Sequence, residues 1–105
     1  MKGGKMYKVI IKRTVPPGKE KELNELIAQL RVAVSGQSGY ISGETLRNTE
    51  KTDEYLVISI WDRDVDWKLW FDSDERKEIQ GKIDKMLGKP TVYETYQYPH
   101  KTHTE

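Results

Sequence analysis

From Met6 to Val15, Tyr7, Val9 and Ile11 alternate with Lys8, Ile10 and Lys12. A two-residue period is that of a strand with unlike faces. Pro16-Pro17-Gly18 closes it, since proline offers no ladder donor. The period then changes to three and four. Leu23, Leu26, Ile27, Leu30, Ala33 and Val34 predict a helix from about Lys19 to Val34, with Lys21, Glu22, Glu25 and Gln29 on its wet side. Gly36 and Gly39 are stop and turn residues. Strands are predicted over Tyr40–Arg47 and Glu54–Trp61, joined as an antiparallel hairpin by the polar loop Asn48–Asp53. Asp62 to Phe71 reads as a short helix bearing Val65, Trp67, Trp70 and Phe71. Ser73 caps another, whose stripe is Ile79, Ile83, Met86 and Leu87 and whose end is Gly88 and Pro90. Thr91–Tyr98, β-branched and aromatic, is the last strand. The order is β-α-β-β-α-β with the second helical region broken in two. That is an α+β, ferredoxin-like domain: a four-stranded antiparallel sheet with helices on one face. It is expected to span residues 6–98, between a disordered leader at 1–5 and a polar tail at 99–105.

The third strand departs from the pattern of a half-wet sheet. Tyr55, Leu56, Val57, Ile58, Ser59, Ile60 and Trp61 hold one polar residue, where one wet face demands alternation. Both faces should therefore be dry, and the helices cover only one. Three such side chains left in water forfeit about 1.5–3 kcal/mol each. A second copy of the chain, packed sheet to sheet, resolves this, so a homodimer is expected. Tyr93, Tyr96 and Tyr98 on the last strand are assigned to the same interface.

Composition narrows the function. A length of 105 residues allows one domain. Eighteen basic against 17 acidic residues leave a formal charge of +1, too little for a polyanion partner, so nucleic acid is excluded. The RNA-binding version of this topology also needs a Lys/Arg-Gly-aromatic start on its third strand, which here begins Glu54-Tyr55-Leu56. No apolar run nears the roughly 20 residues of a membrane helix. Met1–Lys5 is no signal peptide, and a cytoplasmic location is expected. With no cysteine, thiol catalysis, disulfides and thiolate metal sites fall away. There is no glycine-rich phosphate loop and no Ser-His-Asp constellation.

What chemistry is left is aromatic. Trp61, Trp67, Trp70 and Phe71 fall within eleven residues, and helical spacing puts Trp67, Trp70 and Phe71 on one face. They suit a flat cavity for a planar ring between the short helix and the sheet. Core packing accounts for Trp67 and Phe71; for Trp70 both readings stand. Tyr40 and Tyr55 are candidate hydrogen-bond donors, and Arg47, Asn48 and Arg63 sit at strand ends where ligand-reading groups project. His100 and His103 have metal-ligand spacing, but they lie in a polar tail without rigid partners, so no metal is expected.

Gly39-Tyr40-Ile41-Ser42-Gly43-Glu44-Thr45-Leu46, then Glu54 to Trp61, then Trp67, Trp70-Phe71-Asp72-Ser73 and Arg76-Lys77 resemble the antibiotic biosynthesis monooxygenase domain. The resemblance runs from about Met6 to Tyr98. It implies a dimeric α/β barrel in which two ferredoxin-like sheets face each other. Members include oxygenases of anthrones and quinols that use no metal, flavin or haem, enzymes that degrade haem, and binders of small molecules. The haem-degrading branch has an Asn on the first strand, a Trp before the last helix, and a His ten residues beyond it. Trp70 matches the Trp, but Gln80 stands at the His position and Met6–Val15 has no Asn, so haem degradation is disfavoured. The resemblance thus implies a cofactor-independent monooxygenase acting with dioxygen on a small planar phenolic or quinol compound. Trp70 would form the ring wall, Tyr40 or Tyr55 would donate a hydrogen bond, and Arg47 would favour the substrate anion. The alternative is a non-catalytic dimer that binds a small ligand or serves a structural role.

Overall fold

The computed structural model describes residues 6–99. The proposed leader, and the tail with His100 and His103, lie outside the described residues. The elements are β1 (Tyr7–Thr14), α1 (Glu20–Ser35), β2 (Tyr40–Arg47), β3 (Glu54–Trp61), α2 (Asp64–Phe71), α3 (Asp74–Leu87) and β4 (Val92–Gln97). All pairings are antiparallel and the sheet order is β2-β3-β1-β4, the ferredoxin-like arrangement.

Local chemistry explains the boundaries. The Ser73 hydroxyl accepts from the Arg76 amide (3.2 Å) and donates to the Trp70 carbonyl (2.8 Å), so one side chain ends α2 and starts α3. Gly88 ends α3 in the left-handed conformation (φ 71°), its amide bonded to the Asp84 carbonyl. Asn48 is a turn residue, not a ligand reader: its Oδ1 accepts from the amides of Glu50 (2.8 Å) and Lys51 (2.9 Å), fixing the β2–β3 loop. Arg63 likewise serves structure, paired with the buried Asp66 at 3.5 Å.

The two-residue period sorts β3 cleanly. Tyr55, Val57, Ser59 and Trp61 face the helices; Leu56, Ile58 and Ile60 face away. Trp61 is fully buried with Val9, Trp67 and Trp70 in one core cluster, while Val15, Leu23, Ile83 and Leu87 form a second. Among the described residues, no helix covers the opposite sheet face. There Ile10, Leu56, Ile58 and Ile60 are half-buried by their neighbours, and Leu46, Val92 and Tyr96 are exposed. One expectation needs correcting. Tyr93 is not on this open face: it pairs with Ile11, and its ring packs on Trp67 and Phe71 at 6.1 and 5.3 Å. Its odd number gives it the parity opposite to Tyr96 and Tyr98. Among the described residues, no helix is long and apolar enough to cross a membrane.

Candidate functional site

A cavity of about 80 Å3 lies between the helices and the inner sheet face. Its apolar wall is Tyr40, Trp61, Trp67 and Trp70. The wall is built by edge-on packing: Tyr40 on Trp61 at 5.3 Å, and Trp61 on Trp67 at 5.7 Å. A bulge at Ile41 lets Tyr40 and Gly43 share this side of the sheet, since the register steps from Tyr40↔Trp61 to Ser42↔Ile60. Gly43 leaves room for the Tyr40 hydroxyl, which a Cβ would approach to 2.7 Å. On the α1 side the cavity adjoins a second, outer hollow of about 270 Å3; Arg13, Ile27, Arg31, Thr45 and Val57 line both. Joined, the two fall at the low end of the roughly 300–1,000 Å3 typical of small-molecule sites.

The other wall of the inner cavity is polar and basic. Arg13 continues the inward parity of Tyr7, Val9 and Ile11, and Arg76 and Gln80 stand on the stripe of α3 that carries Ile83 and Leu87. All three are 5–6% exposed. Arg13 Nη2 donates to Gln80 Oε1 at 2.8 Å, and Gln80 Nε2 donates to Asp84 Oδ1 and Thr91 Oγ1, each at 2.9 Å. Arg76 donates to the Phe71 carbonyl at 2.9 Å and to the Tyr93 hydroxyl, and its guanidinium lies over the Phe71 ring at 4.2 Å. Arg13 Nε is buried without a hydrogen-bond partner, a deficit that costs about 1–3 kcal/mol or more in a charged group. Burial, with a smaller push from Arg76, lowers the Arg13 pKa from its ordinary value. Burial raises that of the Tyr93 hydroxyl, against the pull of Arg76 and Arg13.

Of the residues singled out from the sequence, Trp70 and Tyr40 line the inner cavity and Tyr55 the outer hollow. Arg47 lines neither. Its Nε is bonded to the Thr52 carbonyl at 2.8 Å and its guanidinium stacks over Tyr55 at 5.5 Å, so the loop and that ring hold it away. Arg13, Arg76, Gln80 and Tyr93 form the polar wall, a role the sequence reading assigns to none of them. The signal for three of them was a polar residue on an otherwise apolar face.

The model for the antibiotic biosynthesis monooxygenase domain matches residues 6–82, from β1 into α3. The chain belongs to the antibiotic biosynthesis monooxygenase family. No curated protein matches it. Among solved structures, a conserved protein of Methanosarcina mazei Go1 is similar over 88% of this chain and 91% of its own, with 23% identity and a TM-score of 0.80. A Caulobacter crescentus CB15 protein, provisionally named an antibiotic biosynthesis monooxygenase, is similar over 92% of both chains at 17% identity, TM-score 0.81. One from Nitrosomonas europaea, provisionally named in the same way, is similar over 98% of this chain and 99% of its own at 13% identity, TM-score 0.80. At such identities these likenesses establish the fold alone. Gln80, at the position where the haem-degrading members have a His, is held by Arg13, Asp84 and Thr91. Its amide is thus committed to the polar wall, which does not fit ligation of haem as in that branch.

Proposed function

We propose that this protein oxygenates a small planar phenolic or quinol compound, with the substrate itself as the electron source. The observation that carries the reading is one cavity with an aromatic wall on one side and two buried guanidinium groups on the other. The Trp70 side would hold the ring. Arg13 and Arg76 would hold and stabilise the substrate anion, the part the sequence assigns to Arg47. Apolar walls and fixed donors strengthen that stabilisation by keeping bulk water out. The electron-rich anion can then reduce dioxygen. One oxygen atom enters the ring and the other leaves as water, so a phenol and O2 give a quinone and H2O with no further reductant. Tyr40 supplies a hydroxyl on the cavity wall and Tyr55 one on the outer hollow. Oxygen uptake tests the reading: reduced single-ring quinones should raise it above the blank rate, and Trp70→Ala should abolish the gain. A blank rate with all of them refutes the reading.

A second reading, a dimer that binds a small ligand without turning it over, is favoured by one observation. Among the described residues, no Asp, Glu, His or Lys lines the cavity to take the substrate proton. Ligand-dependent quenching of tryptophan fluorescence without oxygen uptake would select it. Under either reading, we propose that the open sheet face of Ile10, Leu56, Ile58 and Ile60 packs against the same face of a second copy.

A further inference from the structure

We infer that the ligand of this cavity carries a carboxylate, seated against Arg13 and Arg76, and so belongs to the hydroxylated single-ring aromatic acids rather than to neutral phenols or fused polycycles. The inference rests on the cavity being the ligand site, as in the reading above. Three observations lead to it.

The first is charge. Arg13, Arg31 and Arg76 line the cavity and, among the described residues, no Asp or Glu does. Arg13 and Arg76 are buried, and neither has a carboxylate within ion-pair distance among the described residues. The acid closest to them in the network, Asp84, already accepts from Gln80 and Thr91 through Oδ1. Two buried cations facing neutral acceptors are poorly compensated, and a bound anion would balance them. The second is the unpaired donor. Arg13 lines both the cavity and the outer hollow, and its Nε has no partner. A planar carboxylate matches the planar guanidinium in a way that a single phenolate oxygen does not. The third is size. The inner cavity, at about 80 Å3, is smaller than the roughly 150 Å3 cavity that holds one benzene. It takes the carboxylate and part of one ring, and leaves the rest to the outer hollow. A fused tricycle has no room in the inner cavity.

The test is a titration of the intrinsic fluorescence of Trp61, Trp67 and Trp70 at neutral pH and low salt. The probes are 4-hydroxybenzoate and its neutral isostere 4-hydroxybenzamide. The acid should bind about tenfold more tightly or better, the margin expected of charge-assisted over neutral hydrogen bonds. Arg13→Gln should erase that margin, and Arg13→Lys should keep part of it. Equal affinities overturn the inference, as does the absence of any response up to millimolar probe. The wild-type comparison decides the matter even where a variant fails to fold. The two readings fail separately. A preference for the acid with no oxygen uptake leaves the anion seat standing and removes the oxygenase. Oxygen uptake with neutral quinols and no preference for the acid does the reverse.

Discussion

Gly39 lies against Asp66 of α2, and Gly39→Ala is expected to cost about 2–5 kcal/mol of stability. Two separable effects make up that figure. Gly39 has φ 84°, a left-handed conformation that costs a residue with a Cβ about 1–2 kcal/mol. A Cβ there would also lie 2.6 Å from the Asp66 Cβ and closer still to its carboxylate. Asp66 is buried in the first turn of α2, and the Gly39 carbonyl accepts from the Asp62 amide at 2.7 Å just before that helix. The methyl therefore pushes on the helix that carries Trp67 and Trp70, an overpacking worth about 1–3 kcal/mol. Urea unfolding followed by tryptophan fluorescence measures the sum. A cycle with Asp66→Gly separates the parts: in that background Gly39→Ala should cost only the conformational 1–2 kcal/mol. A cost below about 1 kcal/mol in the wild-type background, or the same cost in both, would refute the steric account.

Three further outcomes are expected. Arg13→Met should leave unfolding stability within about 1.5 kcal/mol of wild type, because losing the bond to Gln80 is offset by relief of a buried charge with an unpaired Nε; a loss above about 3 kcal/mol in urea would mark Arg13 as structural. Ile58→Lys, on the open sheet face, should convert a dimer to a monomer by light scattering, and a wild-type chain that is already monomeric at micromolar concentration refutes the proposed interface. The Tyr93 pKa is raised in the folded state above the ordinary 10.0, so its contribution to stability is constant below pH 10 and is lost as pH rises through the folded value. Tyr93→Phe should flatten that alkaline decline in urea titrations, whereas the lowered Arg13 pKa acts with the opposite sign and does not account for it.

The fold was legible because its elements obey single periods. β2 and β3 run over the residues the pattern predicts, α3 lies between its expected cap and stop, α1 is displaced by one residue and α2 begins two residues later than expected. The apolar run of β3, broken only by Ser59, is a strand as its composition predicts. Its two sides differ in kind, however: one is filled by α2 and the Trp61 ring, while the other is bare in a single chain. Tyr93 was misplaced because three tyrosines were grouped by type, when period two separates position 93 from 96 and 98.

The site was less legible, and the reason is physical. Arg47 drew attention as a cation at a strand end, but a long side chain at an edge reaches whatever acceptor is near, here the Thr52 carbonyl. Arg13 also stands near a strand end, yet it follows Tyr7, Val9 and Ile11 on the inward parity. Position on a face therefore outweighs distance from the end. Arg76 and Gln80 lie four residues apart on the stripe of Ile83 and Leu87, a stripe defined from its apolar members alone. A helix face that is mostly apolar but carries an arginine and a glutamine one turn apart must bury them, and burial demands partners. Gln80 finds three. Arg13 is left one short, and that deficit, invisible in composition or charge count, is what points from a packed core to a place for an anion.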